Sequence, residues 1–416
     1  MASLITEFAQ LRIPLEDVVK ATNNFHDKIG HGGFGSIYRG ELWRSGNLMN
    51  IAALRLDRKQ GERGFEFLTE ISVLSDLKHT NIVSIVGFCD ENGEKIIVTM
   101  YEAQKGSLHK HLNNPNLTWT QRLKICVGVA RALSYLYHVE GRGYGSIHRN
   151  LNSSTIILDK NWEARLSGFK VSIKQSVNQM DHVFISEPIG TIGYMDPEIT
   201  TTGGVTHKSD IYSFGVVLFE ILFGRKAYVK NEANMLLAPL AKYHYENKTI
   251  KEKIHPDLYH QMSPQSLVKF SEVAYSCLKE RAQRPNTDNI VEELEKALEL
   301  QLRRENLVKK LEMLKIPLSD IRVATNNFSE TYKIGSCDDY TLYKAKLNHF
   351  HKKNYSYVEG QNKGEHPKGH NAVVIKRYPS SHDLHGEEHF LKEIEMLSCV
   401  EHPNIVTLLG FCLEVR

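Results

Sequence analysis

The sequence predicts an α+β protein that contains one whole domain, a helical linker and the beginning of a second copy of that domain. A glycine-rich loop at residues 30–35 lies between two stretches of β-forming residues, and an amphipathic helical pattern follows Thr118. Residues 13–25 return in closely similar form as residues 316–328. A repeat at this separation indicates two copies of one domain type and not a short-period solenoid.

The composition indicates an ordinary globular protein. At 416 residues the chain is long enough for two or three domains, and its 41% hydrophobic and 24% charged residues are ordinary for a globular protein. Its 52 Lys and Arg nearly balance its 49 Asp and Glu, so nucleic acid is not an expected partner. No apolar run approaches the roughly 20 residues of a membrane span, and the start lacks a signal-peptide pattern. We therefore expect a cytoplasmic protein without direct membrane insertion.

Cysteines and a histidine-rich segment are the two groups of residues that carry metal-ligating side chains. The six cysteines are scattered without the paired spacing of metal ligands, so reduced thiols are expected. Four histidines lie between residues 348 and 371. Because a metal site needs converging ligands at suitable spacing, a solvated basic insertion is the favoured interpretation, and no metal ligands are predicted.

The glycine loop carries glycines at positions 30, 32, 33 and 35, namely Gly30, Gly32, Gly33 and Gly35. Glycines let a backbone turn tightly and approach phosphate oxygens closely. A dinucleotide-binding turn uses the same spacing but needs a helix that starts at the third glycine. Residues 36–40 read as a second strand instead, so the loop predicts the tip of a β-hairpin.

The segment from residue 288 to 314 predicts a long helix, because it is rich in Glu, Lys and Leu and has no Gly or Pro. One apolar stripe contains Val291, Leu294 and Leu298, and a second, in a different phase, continues from Leu300 to Leu314. A stripe that changes phase argues against a sustained coiled coil. We expect the helix to dock first on one domain and then on the other.

Two tripeptides carry a family resemblance, His148-Arg149-Asn150 and Gly168-Phe169-Lys170. In spacing and surroundings they resemble the His-Arg-Asp catalytic loop and the Asp-Phe-Gly metal-binding loop of protein kinases. The Ala-Thr-Asn-Asn-Phe segment before the glycine loop is similar to plant receptor-like kinases. The resemblance implies a two-lobed protein kinase fold, with a five-stranded N-lobe and a helical C-lobe, followed by a partial second N-lobe.

On this basis the chain divides into four parts. Residues 1–25 are a juxtamembrane-like N-terminal segment, and residues 26–299 are a protein kinase-like domain. Residues 300–327 hold a helical linker and a repeated juxtamembrane-like segment, and residues 328–416 are a truncated second N-lobe. The second copy lacks everything after the early strands, so it is not expected to transfer phosphate by itself.

The resemblance also implies that five catalytic positions have lost their usual residues. Asn150 stands where an aspartate would act as base, and general-base assistance is typically worth ~10²–10⁴-fold. Asn152 replaces a lysine that would neutralise the transferring phosphoryl group. Thr155 and Gly168 stand at the positions of the two magnesium-binding residues, and Leu54 stands where a strand lysine would pair with the nucleotide phosphates.

Arg55 is a candidate substitute for the lysine missing at Leu54. A shift of one residue points a strand side chain to the opposite face, so the substitution would require an irregular strand. The usual partner of that lysine, Glu70, is present, either as half of the former ion pair or as a surface carboxylate that pairs with another base. The second copy keeps the ion pair as Lys376 and Glu393, although its glycine loop has decayed.

Residues that support the fold are retained in the first copy. By resemblance they are His148, Arg149, Phe169, Glu198, Asp210 and Arg284. Asp210 is expected to brace the catalytic loop, and Arg284 is expected to pair with Glu198 and anchor the C-lobe.

These losses predict a pseudokinase that acts as a scaffold or allosteric partner in receptor-like kinase signalling. The glycine loop predicts weak, metal-independent ATP binding, and Mg²⁺ is not expected. The expected partners are other protein kinases, among them receptor-like kinases that would recruit the protein to the plasma membrane. Two alternatives remain open: an active serine/threonine kinase with a reorganised site, and an incomplete product of a longer tandem-kinase gene.

Overall fold

The computed structural model describes residues 8–32, 34–57, 64–138, 143–176, 184–185, 187–230, 235–337, 340–347, 371–378, 390, 393–398, 400, 402 and 404–412. The chain divides into two compact units, Met1–Leu302 and Arg303–Arg416. No helix in these described ranges is both long and apolar enough to cross a membrane.

The first unit begins with an antiparallel five-stranded sheet in the order β1-β2-β3-β5-β4. Its strands are β1 (Lys28–Gly32), β2 (Gly35–Arg44), β3 (Asn47–Leu56), β4 (Ile85–Glu91) and β5 (Glu94–Met100). Helix α1 (Leu15–Ala21) precedes the sheet, and α2 (Gly64–Asp76) joins β3 to β4. The five-stranded N-lobe with one inserted helix is thereby confirmed.

Both faces of this sheet are covered. Successive strand residues point to opposite faces. Ala53 packs in one apolar cluster with Val18 of α1, whereas the neighbouring Leu54 packs against a second cluster that contains Phe67 of α2. Residues 8–25 of the N-terminal segment are therefore packed against the N-lobe core.

The Ala-Thr-Asn-Asn-Phe segment ends α1 in a left-handed turn. Residues 23–25 have φ of 45°, 53° and 59°, a region that asparagine tolerates better than most side chains. The Thr22 hydroxyl donates to the carbonyl of Val18 at 2.8 Å and accepts from the amide of Phe25 at 3.2 Å. The turn delivers the Phe25 ring to Tyr38 of β2, with ring centroids 5.2 Å apart.

The C-lobe is mainly helical, as predicted. Its helices are α3 (Trp119–Tyr137), α4 (Pro197–Thr202), α5 (His207–Phe223), α6 (Leu237–Glu246), α7 (Pro256–Gln261) and α8 (Pro264–Cys277). A capping box between Thr118 and Gln121 starts α3. In the central helix α5, every residue from 209 to 223 is buried, and the other helices pack around it.

Two pairs of short strands hold the loops that the family resemblance singles out. Strand β7 (Tyr144–Ile147) leads into the loop at residues 148–155, and β8 (Ile156–Leu158) follows it. Strand β9 (Ala164–Leu166) pairs with β8, and β10 (Ile173–Ser176) pairs with β7. Residues 148–155 and 168–170 are therefore brought side by side by backbone pairing on both flanks. Within the described residues, three further strands have two residues each, namely β6 (Gly106–Ser107), β11 (Phe184–Ile185) and β12 (Gly204–Val205).

A continuous helix, α9 (Thr287–Met313), covers the segment for which a long helix was predicted. Its first half belongs to the core of the first unit, because Ile290, Leu294 and Ala297 are buried there.

The second unit repeats the start of the first. Helix α10 (Leu318–Ala324) is followed by a three-stranded sheet of β13 (Lys333–Ser336), β14 (Thr341–Leu347) and β15 (Asn371–Arg377). Residues 326–328 have φ of 46°, 55° and 60°, and the Thr325 hydroxyl accepts from the amide of Phe328 at 3.1 Å. The second turn thus matches the first in dihedral angles and in hydrogen bonding.

Candidate nucleotide and catalytic site

Asp210 braces the catalytic loop from below. Its carboxylate accepts from the backbone amides of His148 at 2.6 Å and Arg149 at 2.8 Å, and from the Tyr137 hydroxyl at 2.9 Å. Burial raises the pKa of Asp210 to about 6, and these hydrogen bonds oppose the shift. Arg149 itself has φ of 66°, so the two amides that face Asp210 hold the loop in a conformation that few residues adopt.

His148 is buried in a neutral form. Its Nε2 lies 3.0 Å from the carbonyl of Ser167 and its Nδ1 lies 3.3 Å from the amide of Asn150. The first nitrogen must donate and the second must accept, which describes a neutral imidazole. Burial lowers the pKa of His148 to about 4. The ring also contacts Phe169 edge-on, with centroids 4.8 Å apart, so the two loops pack on each other here.

At the catalytic base position, the polar groups are engaged with one another. The Thr191 hydroxyl donates to Oδ1 of Asn150 at 2.8 Å. The Asn152 amide donates to the backbone carbonyl of Asn150 at 2.9 Å, and the Thr155 hydroxyl donates to the carbonyl of Asn152 at 2.9 Å. Two amides and one hydroxyl stand at the positions of the base, the lysine and one metal ligand, and they hydrogen-bond within the loop and to Thr191.

At Gly168 the metal-binding carboxylate is missing, and the surroundings also leave little room for a side chain. Its φ is +86°, a region in which a side chain is strained. A Cβ at this position would lie 3.0 Å from the Cγ2 methyl of Thr155. The two positions at which kinases carry magnesium ligands therefore lie against each other, and they present the methyl group of Thr155 and a hydrogen atom of Gly168.

Leu54 occupies the lysine position in a regular strand. It is paired with Ile37 of β2 and Ile97 of β5, so no bulge turns its neighbour inward. Arg55 lies on the other face, where its guanidinium donates to both carboxylate oxygens of Glu94 at 2.8 and 2.6 Å. The alternative in which Arg55 replaces the lysine is therefore wrong.

The second unit supplies an internal comparison. Arg55 lies 4.5 Å from the centroid of Phe25, and Arg377 lies 4.2 Å from that of Phe328. Arg377 keeps this place although the lysine before it is present. In both copies the arginine packs on the phenylalanine of the repeated turn. Its place is therefore explained by that contact, and it is not a lysine substitute shifted by one residue.

Lys376 of the second unit is fully engaged. Its ammonium donates to both carboxylate oxygens of Glu393 at 2.8 and 2.9 Å, and it lies 4.3 Å from the ring centroid of Tyr340. Tyr340 belongs to the decayed glycine loop, so an aromatic ring lies where a phosphate would approach. Residues 338–339 and 348–370, which include the four histidines, lie outside the described residues.

Glu70 has a partner that the sequence did not reveal. It is buried and so is not a surface carboxylate, and its Oε2 lies 3.9 Å from the ammonium of Lys170. Burial raises the pKa of Glu70, while Lys170 and a backbone hydrogen bond from Phe169 oppose this shift. Lys170 also lies 4.5 Å from the ring centroid of Phe34 in the glycine loop. Glu70 has lost its usual lysine partner, because Leu54 stands at that position, and it pairs instead with Lys170 of the loop at residues 168–170.

The glycine loop is a hairpin tip. Gly30 and Gly32 lie in β1, and Gly35 begins β2 opposite Gly32. A Cβ on Gly35, which has φ of +153°, would lie 2.1 Å from the carbonyl oxygen of Arg55. The dinucleotide-binding alternative, which needs a helix here, is therefore wrong. Gly33 lies outside the described residues.

Arg284 anchors the start of helix α4, and its main partner is Asp196 and not the expected Glu198. It donates to both carboxylate oxygens of Asp196 at 2.6 and 3.0 Å, and it lies 3.7 Å from Glu198. Glu198 accepts more closely from the backbone amide of Arg281, at 2.8 Å. Burial would raise the pKa of Asp196, yet the hydrogen bonds and charge of Arg284 hold it below its usual value.

The sequence matches the protein tyrosine and serine/threonine kinase family over residues 23–294 and 352–416. The chain belongs to the protein kinase family. Among curated proteins of Arabidopsis thaliana, it is 41% identical to a probable receptor-like protein kinase over 302 residues, 38% to FERONIA over 294 and 38% to HERK 1 over 306. These regions cover 70%, 68% and 71% of the chain and 35%, 32% and 36% of the relatives.

These relatives place the chain in the plant receptor-like kinase family. It spans about a third of the length of the curated relatives it matches.

The magnesium ions that kinases of this fold use do not fit the residues present. A metal position needs oxygen ligands, and Gly168 supplies none while the methyl of Thr155 faces it. Among the residues that the structure describes, no three His, Cys, Asp or Glu side chains converge on a point that would hold a metal ion.

Proposed function

We propose that this protein is a pseudokinase that acts by binding, as a scaffold or allosteric partner of an active receptor-like kinase. The observation that carries the proposal is the hydrogen-bonded set of Asn150, Asn152, Thr155 and Thr191. Phosphoryl transfer depends on a base, metal ions and charge stabilisation, and this set offers amide and hydroxyl groups that already bond to one another. Around it, Asp210 is hydrogen-bonded to the catalytic loop and Arg284 to Asp196, so the supports of the fold are present.

The proposal includes weak nucleotide binding that does not depend on Mg²⁺. The glycine hairpin keeps Gly30 and Gly32 in β1 and Gly35 in β2, and glycines let a backbone approach phosphate closely, while the metal positions lack ligands. Nucleotide binding would then steady the two lobes for a protein partner. A cytoplasmic protein that an active kinase recruits to the plasma membrane is consistent with this role.

The decisive experiment measures phosphate transfer. The purified chain is incubated with radiolabelled ATP, Mg²⁺ or Mn²⁺ and a general protein substrate, beside the kinase domain of an active receptor-like kinase. We expect no transfer by the chain alone, and a changed rate when the chain is added to the active kinase. Transfer by the chain alone would contradict the proposal and support the reorganised-kinase alternative. No change in the active kinase would contradict the allosteric role.

A restored variant provides the matched control. It combines Leu54→Lys, Asn150→Asp, Thr155→Asn and Gly168→Asp, and it also carries Lys170→Gly because Lys170 would otherwise compete for Glu70. We expect this variant to bind ATP more tightly when Mg²⁺ is added, whereas the natural protein does not respond. A natural protein that responds equally would contradict metal independence.

A further inference from the structure

Lys170 lies in the cleft between the N-lobe and the C-lobe, where it meets residues that are far apart in sequence. It lies two residues after Gly168, the position at which kinases carry a metal ligand. Its ammonium lies 3.9 Å from the carboxylate of Glu70 on α2 and 4.5 Å from the ring centroid of Phe34. Its side chain is 13% exposed and that of Glu70 is 7% exposed. A positive charge is therefore enclosed beneath the tip of the glycine hairpin, the part of a kinase fold that covers phosphates.

The pairing of Lys170 with Glu70 leaves binding capacity. Glu70 Oε2 is buried and makes no hydrogen bond to the described residues, and the 3.9 Å separation from Lys170 exceeds a hydrogen bond. An ammonium has three donors on a flexible four-carbon chain. A phosphate oxygen that enters under the hairpin would give it a closer, charge-assisted contact.

We propose that Lys170 is the phosphate-binding cation of this cleft, in place of the strand lysine lost at Leu54, and that its ligand is a metal-free nucleoside polyphosphate. The lysine approaches from the opposite wall of the cleft, on the loop that elsewhere holds the metal. One ammonium then offsets phosphate charge that a strand lysine and a metal ion would otherwise share. This inference rests on the nucleotide-binding part of the proposed function.

The test compares ATP with adenosine in the presence of EDTA, by calorimetric titration of the full chain. A charge-assisted contact predicts that ATP binds about tenfold to a hundredfold more tightly than adenosine. Lys170→Met should reduce ATP affinity to that of adenosine and leave adenosine affinity unchanged. Lys170→Arg should keep most of the preference for ATP.

Two controls guard against a variant that is merely misfolded. Lys174→Met removes a nearby lysine that instead bonds to Asp76 at 2.8 Å, and it should behave as the natural protein. Unchanged adenosine binding shows that the Lys170→Met cleft is intact. If it is not, the double variant Lys170→Met with Glu70→Gln removes the unpaired buried charge, and it too should lack the preference for ATP.

Three outcomes would overturn the inference: equal binding of ATP and adenosine by the natural protein, no nucleotide binding at all, or an unchanged preference for ATP in Lys170→Met. Each leaves the scaffold function open to its own test, because the effect on an active receptor-like kinase is measured separately. If the protein changes the rate of an active kinase but its ATP binding does not depend on Lys170, only this inference is contradicted.

Discussion

The ammonium of Lys170 lies 3.9 Å from the carboxylate of Glu70, and both side chains are almost entirely removed from solvent. Burial alone disfavours the charged form of Glu70, so its pKa is raised, and Lys170 is the charge that opposes this. The pair ties α2 to the loop after β9. The position of that helix is therefore held by a lysine of the C-lobe rather than by one of the sheet.

Removing this lysine should destabilise the protein most at high pH. Lys170→Met leaves the buried Glu70 carboxylate without its cation, at a cost on the order of 2 kcal/mol. Because burial raises the pKa of Glu70, the cost is largest at high pH and shrinks as pH falls and Glu70 takes up a proton. Urea unfolding of both proteins at pH 8 and pH 5 measures it.

The companion variant isolates the charge. Lys170→Met combined with Glu70→Gln should lose this pH dependence, because no carboxylate remains. A deficit in Lys170→Met that is equal at both pH values would show that lost packing, and not the charge of Glu70, is responsible.

His148 should make the protein sensitive to acid. Its pKa is about 4 when folded and near 6.5 when exposed, so the unfolded chain binds a proton first as pH falls. Between pH 7.5 and 5.5 this difference removes about 1 kcal/mol of stability, and the loss continues down to about pH 4. In His148→Phe this loss should be absent.

The measurement is the free energy of unfolding as a function of pH, for the natural protein and for His148→Phe. Buried Asp210 and Glu220, whose pKa values are raised to about 6 and about 7, act in the opposite direction. They are present in both proteins and cancel in the difference. Identical pH profiles would mean that His148 is not buried in its neutral form.

Gly168→Ala should cost more than an alanine at another left-handed glycine. Gly46, in the turn between β2 and β3, has φ of +78° and would meet nothing with a Cβ, so Gly46→Ala measures conformational strain alone, about 1 kcal/mol. Gly168→Ala adds the contact with Thr155 and should lose roughly 1 kcal/mol more. Thermal and urea unfolding measure both.

A second substitution identifies the contact. Thr155→Ser deletes the methyl group and should recover the extra loss when combined with Gly168→Ala. If the two alanine variants are equally stable, or if Thr155→Ser recovers nothing, the crowding at Gly168 is not a barrier to restoring the metal ligand.

Asp196 should matter more than Glu198 to the stability of the C-lobe. Asp196→Asn breaks a buried bidentate pair with Arg284, which is expected to cost roughly 3–5 kcal/mol. Glu198→Gln removes a carboxylate that is partly exposed and 3.7 Å from Arg284, so we expect a loss of about 1 kcal/mol or less. Denaturant unfolding ranks the two, and the reverse order would return the main anchoring role to Glu198.

Local patterns predicted the parts of this molecule that depend on local chemistry. The hairpin followed from glycines between β-forming residues, and the direction of Arg55 followed from strand alternation. The contact between Lys170 and Glu70 could not be predicted, because it joins residues a hundred positions apart through the direction of one flexible side chain. The sequence predicted Glu198 as the partner of Arg284, whereas the structure shows Asp196 in that role. The two carboxylates are two residues apart, and only the geometry at the start of α4 decides which of them points towards Arg284.

The repeated turn also provides two equivalent amides, one in each unit, whose hydrogen-exchange rates can be compared directly. The amides of Phe25 and Phe328 donate to the hydroxyls of Thr22 and Thr325, at 3.2 and 3.1 Å, in turns with the same dihedral angles. Local chemistry contributes equally to both exchange rates, so their ratio in one sample compares the opening free energies of the two units. A partner that engages a single unit would slow one amide and leave its twin unchanged.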